Sequence, residues 1–262
     1  VLGFSEFDFA CAALRAADAD DKCRAVASLR IESAVVSPVK TVADTPPVQR
    51  PGRPARPVLV APRDVPSRGL GSVAGRAALV HAVAHIEFNA INLALDACCR
   101  FRGMPADYYR DWLTVAQDEA RHFQLLRGRL RELGHDYGDF PAHNGLWEAA
   151  EKTAHDVLLR MALVPRVLEA RGLDVTPGMI RRLREVGDEA TAAILEIIVD
   201  EEVAHVRAGT RWFRYLCSQR GLDPVATFRQ LLLDHEVRPR PPFNFTARFA
   251  SGFEQDEMSG WQ

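Results

Sequence analysis

Two short stretches, Asp118-Glu119-Ala120-Arg121-His122 and Glu201-Glu202-Val203-Ala204-His205, each carry a Glu and a His three positions apart. On an α-helix that spacing sends both side chains off one face within a single turn, where they can grip one metal ion. Each pair has a further Glu upstream in an otherwise apolar stretch: Glu87 lies 32 positions before Glu119, and Glu169 lies 33 before Glu202. The two halves therefore repeat at an offset of 82 to 83 residues. One Glu from each of two helices, plus Glu-x-x-His from each of two others, is a ligand set for two carboxylate-bridged transition-metal ions.

Four glutamates and two neutral imidazoles balance two divalent ions of hard to intermediate character, which suits iron or manganese. Zinc prefers fewer ligands, and calcium rarely takes imidazole. Glu119 and Glu202 are placed to bridge; Glu87 with His122, and Glu169 with His205, complete the two ends. Ions held about 3.5 to 4 Å apart in this way suit the two-electron reduction of dioxygen. That chemistry covers hydroxylation, desaturation or oxidase reactions on a substrate in an apolar pocket, and oxidation of iron itself. Asp118 and Glu201 each directly precede a ligand Glu, where an acid can orient a ligand His from a facing helix.

Four helices must carry these side chains. The first is expected from about Ser72 to Arg102, stopped by Gly103 and Pro105, with Val80, Val83, Ala84, Ile91, Ala94 and Cys98 on the face around Glu87. A carboxylate alone on an apolar stripe needs a partner, because burying it unpaired costs several kcal/mol or forces it to stay protonated. His81 and His85 project away from that face and read as packing or surface residues. The second helix, about Ala106 to Leu133, sets Trp112, Val115, Ala116, Phe123 and Leu126 around Glu119 and His122.

Helical periodicity resumes at Leu146 and lasts to Arg171, yet a single straight helix conflicts with geometry. If the second and third helices run parallel, the crossover would span roughly 55 Å, whereas a dozen extended residues reach about 40 Å. The expectation is a short helix at Leu146 to Lys152, with the ligand helix starting near Thr153; simple up-down-up-down topology is the alternative. Pro165, one turn before Glu169, should kink that helix. After Gly172 the same arithmetic splits the chain into a short helix, Pro177 to Val186, and a long one from Asp188 to about Gln219, with Gly187 as the break and Asp188 as N-cap.

Outside the ligand helices, Glu6 to Leu29 reads as one or two amphipathic helices with Asp18 to Asp21 as a break or cap. Ser37 to Pro66 is proline-rich and extended. A last helix, about Pro224 to His235, precedes a tail bearing Phe243, Phe245, Phe249 and Phe253, expected to wrap the helices and fill grooves. The organisation is thus an extension (1–69), a di-metal four-helix bundle (70–220), and a terminal helix with a wrapping tail (221–262).

The 262 residues include 47% hydrophobic ones, enough for a buried core, and the net charge of −2 supplies no general basic field for nucleic acid. The five cysteines, Cys11, Cys23, Cys98, Cys99 and Cys217, show no Cys-x-x-Cys spacing and read as reduced thiols of a cytoplasmic protein. No apolar run approaches the roughly 20 residues of a membrane span. Glu6 and Asp8 stand where a signal peptide would be basic and then apolar. Arg171, Arg181, Arg182 and Arg184 form a local basic cluster that could contact RNA phosphates.

The stretches His81-Ala82-Val83-Ala84-His85-Ile86-Glu87, Asp118 to Phe123, Glu169-Ala170-Arg171-Gly172-Leu173-Asp174 and Asp200 to His205 resemble the ferritin-like DUF455 family of bacterial proteins, from about residue 70 onward and again in the Phe243 to Phe253 tail. More distantly the chain is similar to the non-haem di-iron tRNA hydroxylases, and its Asp-Glu-x-Arg-His sequence to the bacterial multicomponent monooxygenases. The resemblance implies an all-α, ferritin-like four-helix bundle with two iron (or manganese) ions at Glu87, Glu119, His122, Glu169, Glu202 and His205. It also implies an oxidoreductase or hydroxylase that uses dioxygen on a small-molecule or nucleoside substrate, with an electron donor. In the monooxygenases the acid before each ligand Glu is an aspartate; here the second copy has Glu201. The competing classes are an iron-handling ferroxidase or storage protein, and a non-catalytic metal-binding structural protein.

Overall fold

A computed structural model describes residues 6–30, 48–66 and 68–261. The chain is all-α: among the described residues the one extended pairing is an isolated parallel bridge between Leu59 and Ala142. Part of the proline-rich stretch lies outside the described residues. The chain forms two compact units, Val1–Trp147 and Glu148–Gln262.

In the first unit, α1 (Glu6–Arg15) and α2 (Ala19–Ala27) form the expected N-terminal helices, with Asp18 accepting a hydrogen bond from the Asp21 N–H as N-cap of α2. The fully buried Lys22 donates to the carbonyls of Ala13 and Leu14, both at 2.9 Å, and so closes the last turn of α1. Burial pulls its pKa down to about 7. Helix α3 (Val73–Arg100) starts at Ser72, whose hydroxyl accepts from the Gly75 N–H, and α4 (Ala106–Glu132) follows a five-residue turn. The two run antiparallel: Tyr108 donates to Ala97 and Tyr109 to Phe101 at the turn, while Glu87 meets His122 further along.

Two sequence expectations need correction in this unit. Cys11 and Cys99 form a disulfide with their Cα atoms 5.8 Å apart, so only Cys23, Cys98 and Cys217 are free thiols. Nothing in the local spacing signals a pairing that joins residues 88 positions apart. Helix α3 is long and apolar enough to cross a membrane, and 78% of that apolar window is buried inside the protein. A helix with so much of its surface packed serves as a core element.

Helix α5 (Gly145–Lys152), the expected short helix, spans the boundary between the units, and in the second unit the next helix, α6 (Val157–Leu163), begins four residues later than Thr153. Asp156 provides the N-cap, accepting from the Leu158 N–H at 2.8 Å, and a bidentate pair with Arg220 at 2.6 and 2.8 Å fixes its carboxylate. Pro165 distorts the helix as expected: Val164–Glu169 is a π-helical turn, the wider turn absorbing a residue that lacks an N–H.

Beyond that turn the expected break at Gly187 occurs, but the helix end expected at Gly172 and the new start at Pro177 do not. Helix α7 (Ala170–Glu185) runs through both Gly172 and Pro177. Pro177 cannot bond to the Leu173 carbonyl four residues back, and the Asn244 side chain donates to that carbonyl instead, at 3.3 Å. Gly187, at φ +75°, then reverses the chain, and Asp188 caps α8 (Glu189–Gln219) by accepting from the Thr191 N–H and hydroxyl. Helices α9 (Pro224–Asp234) and α10 (Phe245–Ala250) complete the unit.

Candidate metal centre

Glu87 projects from the middle of α3, one turn of buried Ala84 and Phe88 around it, while Glu119 and His122 leave one face of α4. All three are buried: Glu87 is 3% exposed and the other two are 0% exposed. His122 Nδ1 lies 3.1 Å from Glu87 Oε2 and 3.5 Å from Glu119 Oε2. One ligand atom from each of the three falls within 4.8 Å of the others. A transition-metal ion bound at about 2.1 Å spreads its ligands over at most about 4.2 Å, so small side-chain adjustments suffice.

The electrostatics favour a cation. Burial by itself pushes the His122 imidazole toward neutrality, but the Glu119 and Glu87 carboxylates outweigh it and hold the pKa up to about 11. Two acids share one imidazolium in a dry site, which leaves negative charge over. A divalent ion neutralises such a group where a single proton does not. The donor set of two carboxylates and one imidazole therefore fits a hard-to-intermediate ion.

In the second unit, Glu202 and His205 repeat the same turn on α8, with His205 Nδ1 3.5 Å from Glu202 Oε1. His205 is 2% exposed. Glu169 ends the π turn and is half-buried. Asp118 is half-buried and pairs with Arg121 of its own helix at 3.1 Å; Glu201 is half-buried on α8.

His81 and His85 do turn away from Glu87 and pack beneath the loop after α4. The Gly138 N–H donates to His81 Nε2 at 2.9 Å. Tyr137 donates its hydroxyl to His85 Nδ1 at 2.8 Å, and its ring lies 4.9 Å from Phe123 and 5.5 Å from Phe88, the sequence neighbours of His122 and Glu87. The N-terminal helices, read from sequence as an appendage, also reach α3 and α4. Lys22 Nζ stands 5.7 Å over the Phe88 ring, and the Gln117 amide donates to the carbonyls of Val26 and Leu29. Gln117 is two residues from Glu119, but a lone polar residue on a helix gives no sign of what it meets.

The arginine cluster is engaged locally. Arg171 donates to the carbonyls of Arg240, Pro241 and Pro242, and Arg184 pairs with Glu189 and Glu196. Arg181 and Arg184 share an open cleft of about 680 Å³ with Glu185, Glu196 and Asp200. Its walls carry both signs of charge.

An all-helical protein with a buried Glu/His cluster able to hold a metal ion is the class that these observations define. The chain belongs to the DUF455 family, described as proteins of unknown function, whose model matches residues 15–259. An uncharacterized protein from Haemophilus influenzae (strain Rd) is 43% identical over 258 residues, which cover 94% of this chain and 90% of that one. No solved structure matches.

Proposed function

We propose that this chain is a ferritin-like, carboxylate-bridged di-iron (or di-manganese) protein that uses dioxygen to oxidise or hydroxylate an organic substrate. The observation that carries the reading is the buried triad Glu87, Glu119 and His122, whose residue types and spacing recur in Glu169, Glu202 and His205. Glu87, Glu119, His122, Glu169, Glu202 and His205 are the residues that would hold the ions. Bound there, the ions would supply the electrons for dioxygen reduction.

The chain's own residues would do the rest. Glu87 and Glu119 exclude a bare buried charge only by sharing a cation, and the apolar residues flanking them keep water from the site. Asp118 would hold a ligand imidazole in one tautomer. A small molecule or a nucleoside is the substrate class that the resemblance to tRNA hydroxylases suggests, with a separate electron donor.

The test is anaerobic loading of the chain with ferrous ion, followed by exposure to dioxygen with and without reductant. Tight binding of about two ions per chain and oxygen consumption that cycles with reductant support the reading. One stoichiometric burst of iron oxidation and no turnover would favour iron handling. Absence of tight binding rejects both.

A further inference from the structure

Arg166 lies inside the π turn, one helical turn from Glu169, and its guanidinium is fully buried. Three aromatic rings enclose it: Phe228 at 4.0 Å, and Phe213 and Phe253 at 4.6 Å each. Among the described residues its anionic partner is the equally buried Glu257, at 2.5 Å, and Glu257 accepts in turn from the Glu254 N–H. Phe253 and Glu257 both come from the C-terminal tail. Burial draws the Arg166 pKa down to about 10, and Glu257 acts against that.

A second tie from the same tail meets the next helical stretch. Arg248 is buried and grips Asp174 with two hydrogen bonds, at 3.0 and 2.6 Å. The Asn244 N–H donates to Asp174 as well, and the Asn244 side chain takes the Leu173 carbonyl freed by Pro177. The tail therefore holds the polypeptide on both sides of Glu169, at Arg166 and at Leu173 to Asp174. A π turn is rare within α-helices, and a strained backbone segment persists where its surroundings enforce it.

We propose that the C-terminal tail, through Glu257, Phe253 and Arg248, is a positioning element that keeps the π turn in place and with it the carboxylate of Glu169. This rests on the reading of Glu169 as a metal ligand for its second half, but not for its first. The tail residues touch no reacting group; they act through the turn. Long wrapping tails fill grooves in many helical proteins, whereas here the tail carries buried charges that pair with Arg166 in the π turn and with Asp174 just beyond it, on either side of Glu169.

The experiment compares the full chain with its Glu257→Gln variant and, as a control, Glu254→Gln at the exposed partner of Arg214. Hydrogen exchange at residues 164–170 reads the turn, and the ligand-field spectrum and affinity of cobalt(II) read the donor set. Glu257→Gln should speed exchange across 164–170 at least about tenfold, leave α3 and α4 unchanged, weaken cobalt binding about tenfold and alter its spectrum. The control should change neither, and Glu257→Asp should restore part of both. Unchanged exchange at the turn overturns the proposal. Faster exchange with identical cobalt spectra and affinity overturns the link to Glu169, leaving the tail a purely structural strap. If the wild-type chain takes no cobalt, the metal reading fails by itself, while the exchange comparison still decides whether the tail holds the turn. Should Glu257→Gln unfold globally, Phe253→Leu, which keeps the ion pair, is judged by the same two readouts.

Discussion

His122 Nδ1 lies 3.1 Å from Glu87 Oε2, across the interface between α3 and α4 and 35 residues apart in sequence. This contact ties the lone acid of one helix to the Glu-x-x-His turn of the next. Neither residue is exposed to water that could compensate the charge. Removing the carboxylate by Glu87→Ala should therefore weaken ferrous or manganous binding by more than about 100-fold, measured by competition with a chelator. Asp118→Asn, which alters only a neighbouring acid, should cost about tenfold. An affinity for the Glu87→Ala protein equal to wild type would remove this acid from the ligand set.

Metal should also stabilise the fold. The buried acids repel one another without a cation, and any ligand bound only by the native state raises stability by mass action, about 2.7 kcal/mol at a hundredfold excess over Kd. Thermal unfolding of metal-free and iron-loaded protein under anaerobic conditions should differ by several degrees. Identical melting temperatures would mean that the buried acids do not bind the ion.

Two glycines give opposite signs for the same substitution. A methyl group at Gly209 would stand 2.3 Å from Cβ and Cγ of Pro165, a rigid ring in the π turn, whereas one at Gly172 meets nothing within 4 Å. Gly172→Ala should stabilise the chain by about 0.5 to 1 kcal/mol through helix propensity. Gly209→Ala should destabilise it by about 1 to 3 kcal/mol despite the same gain, because α8 and the π turn must separate. Urea unfolding of the two variants checks the pair.

The pH dependence follows from His81. Burial lowers its pKa from 6.5 to about 4, with Asp139 acting in the opposite direction. Between those values the unfolded chain binds a proton that the folded chain refuses, so this stabilising contribution is complete above pH 6.5 and is lost as pH falls toward 4. Protonation would also end the hydrogen bond that His81 accepts from Gly138. His81→Gln can accept that bond without titrating, and should lose less stability between pH 7 and pH 5 than wild type, by about 1 to 2 kcal/mol. Parallel losses in both proteins would contradict the account.

How far the sequence reads through to these features depends on the range of the forces involved. Helices α3, α4 and α8 were legible because their ends are written locally: Ser72 and Asp188 cap, and Gly103, Pro105 and Gly187 stop. The distortion at Pro165 was legible for the same reason. The continuity of α7 was not, since Gly172 and Pro177 argue for a break, and the group that repairs it, Asn244, arrives from about 70 residues away. The Cys11–Cys99 disulfide and the Arg166–Glu257 pair escaped for the same cause. The cluster of Glu87, Glu119 and His122 could be picked out beforehand because the Glu-x-x-His spacing and the upstream Glu occur twice in the sequence, and the buried contact of His122 with Glu87 brings the first copy together.

The most direct measurement is the iron content of the full chain, loaded anaerobically, freed of loosely held ion and compared with its Glu119→Ala variant. The account predicts about two irons per chain in the wild type and loss of the tightly held pair in the variant. A wild-type protein that retains no iron or manganese, or a Glu119→Ala protein that retains both ions with unchanged optical spectra, would contradict it.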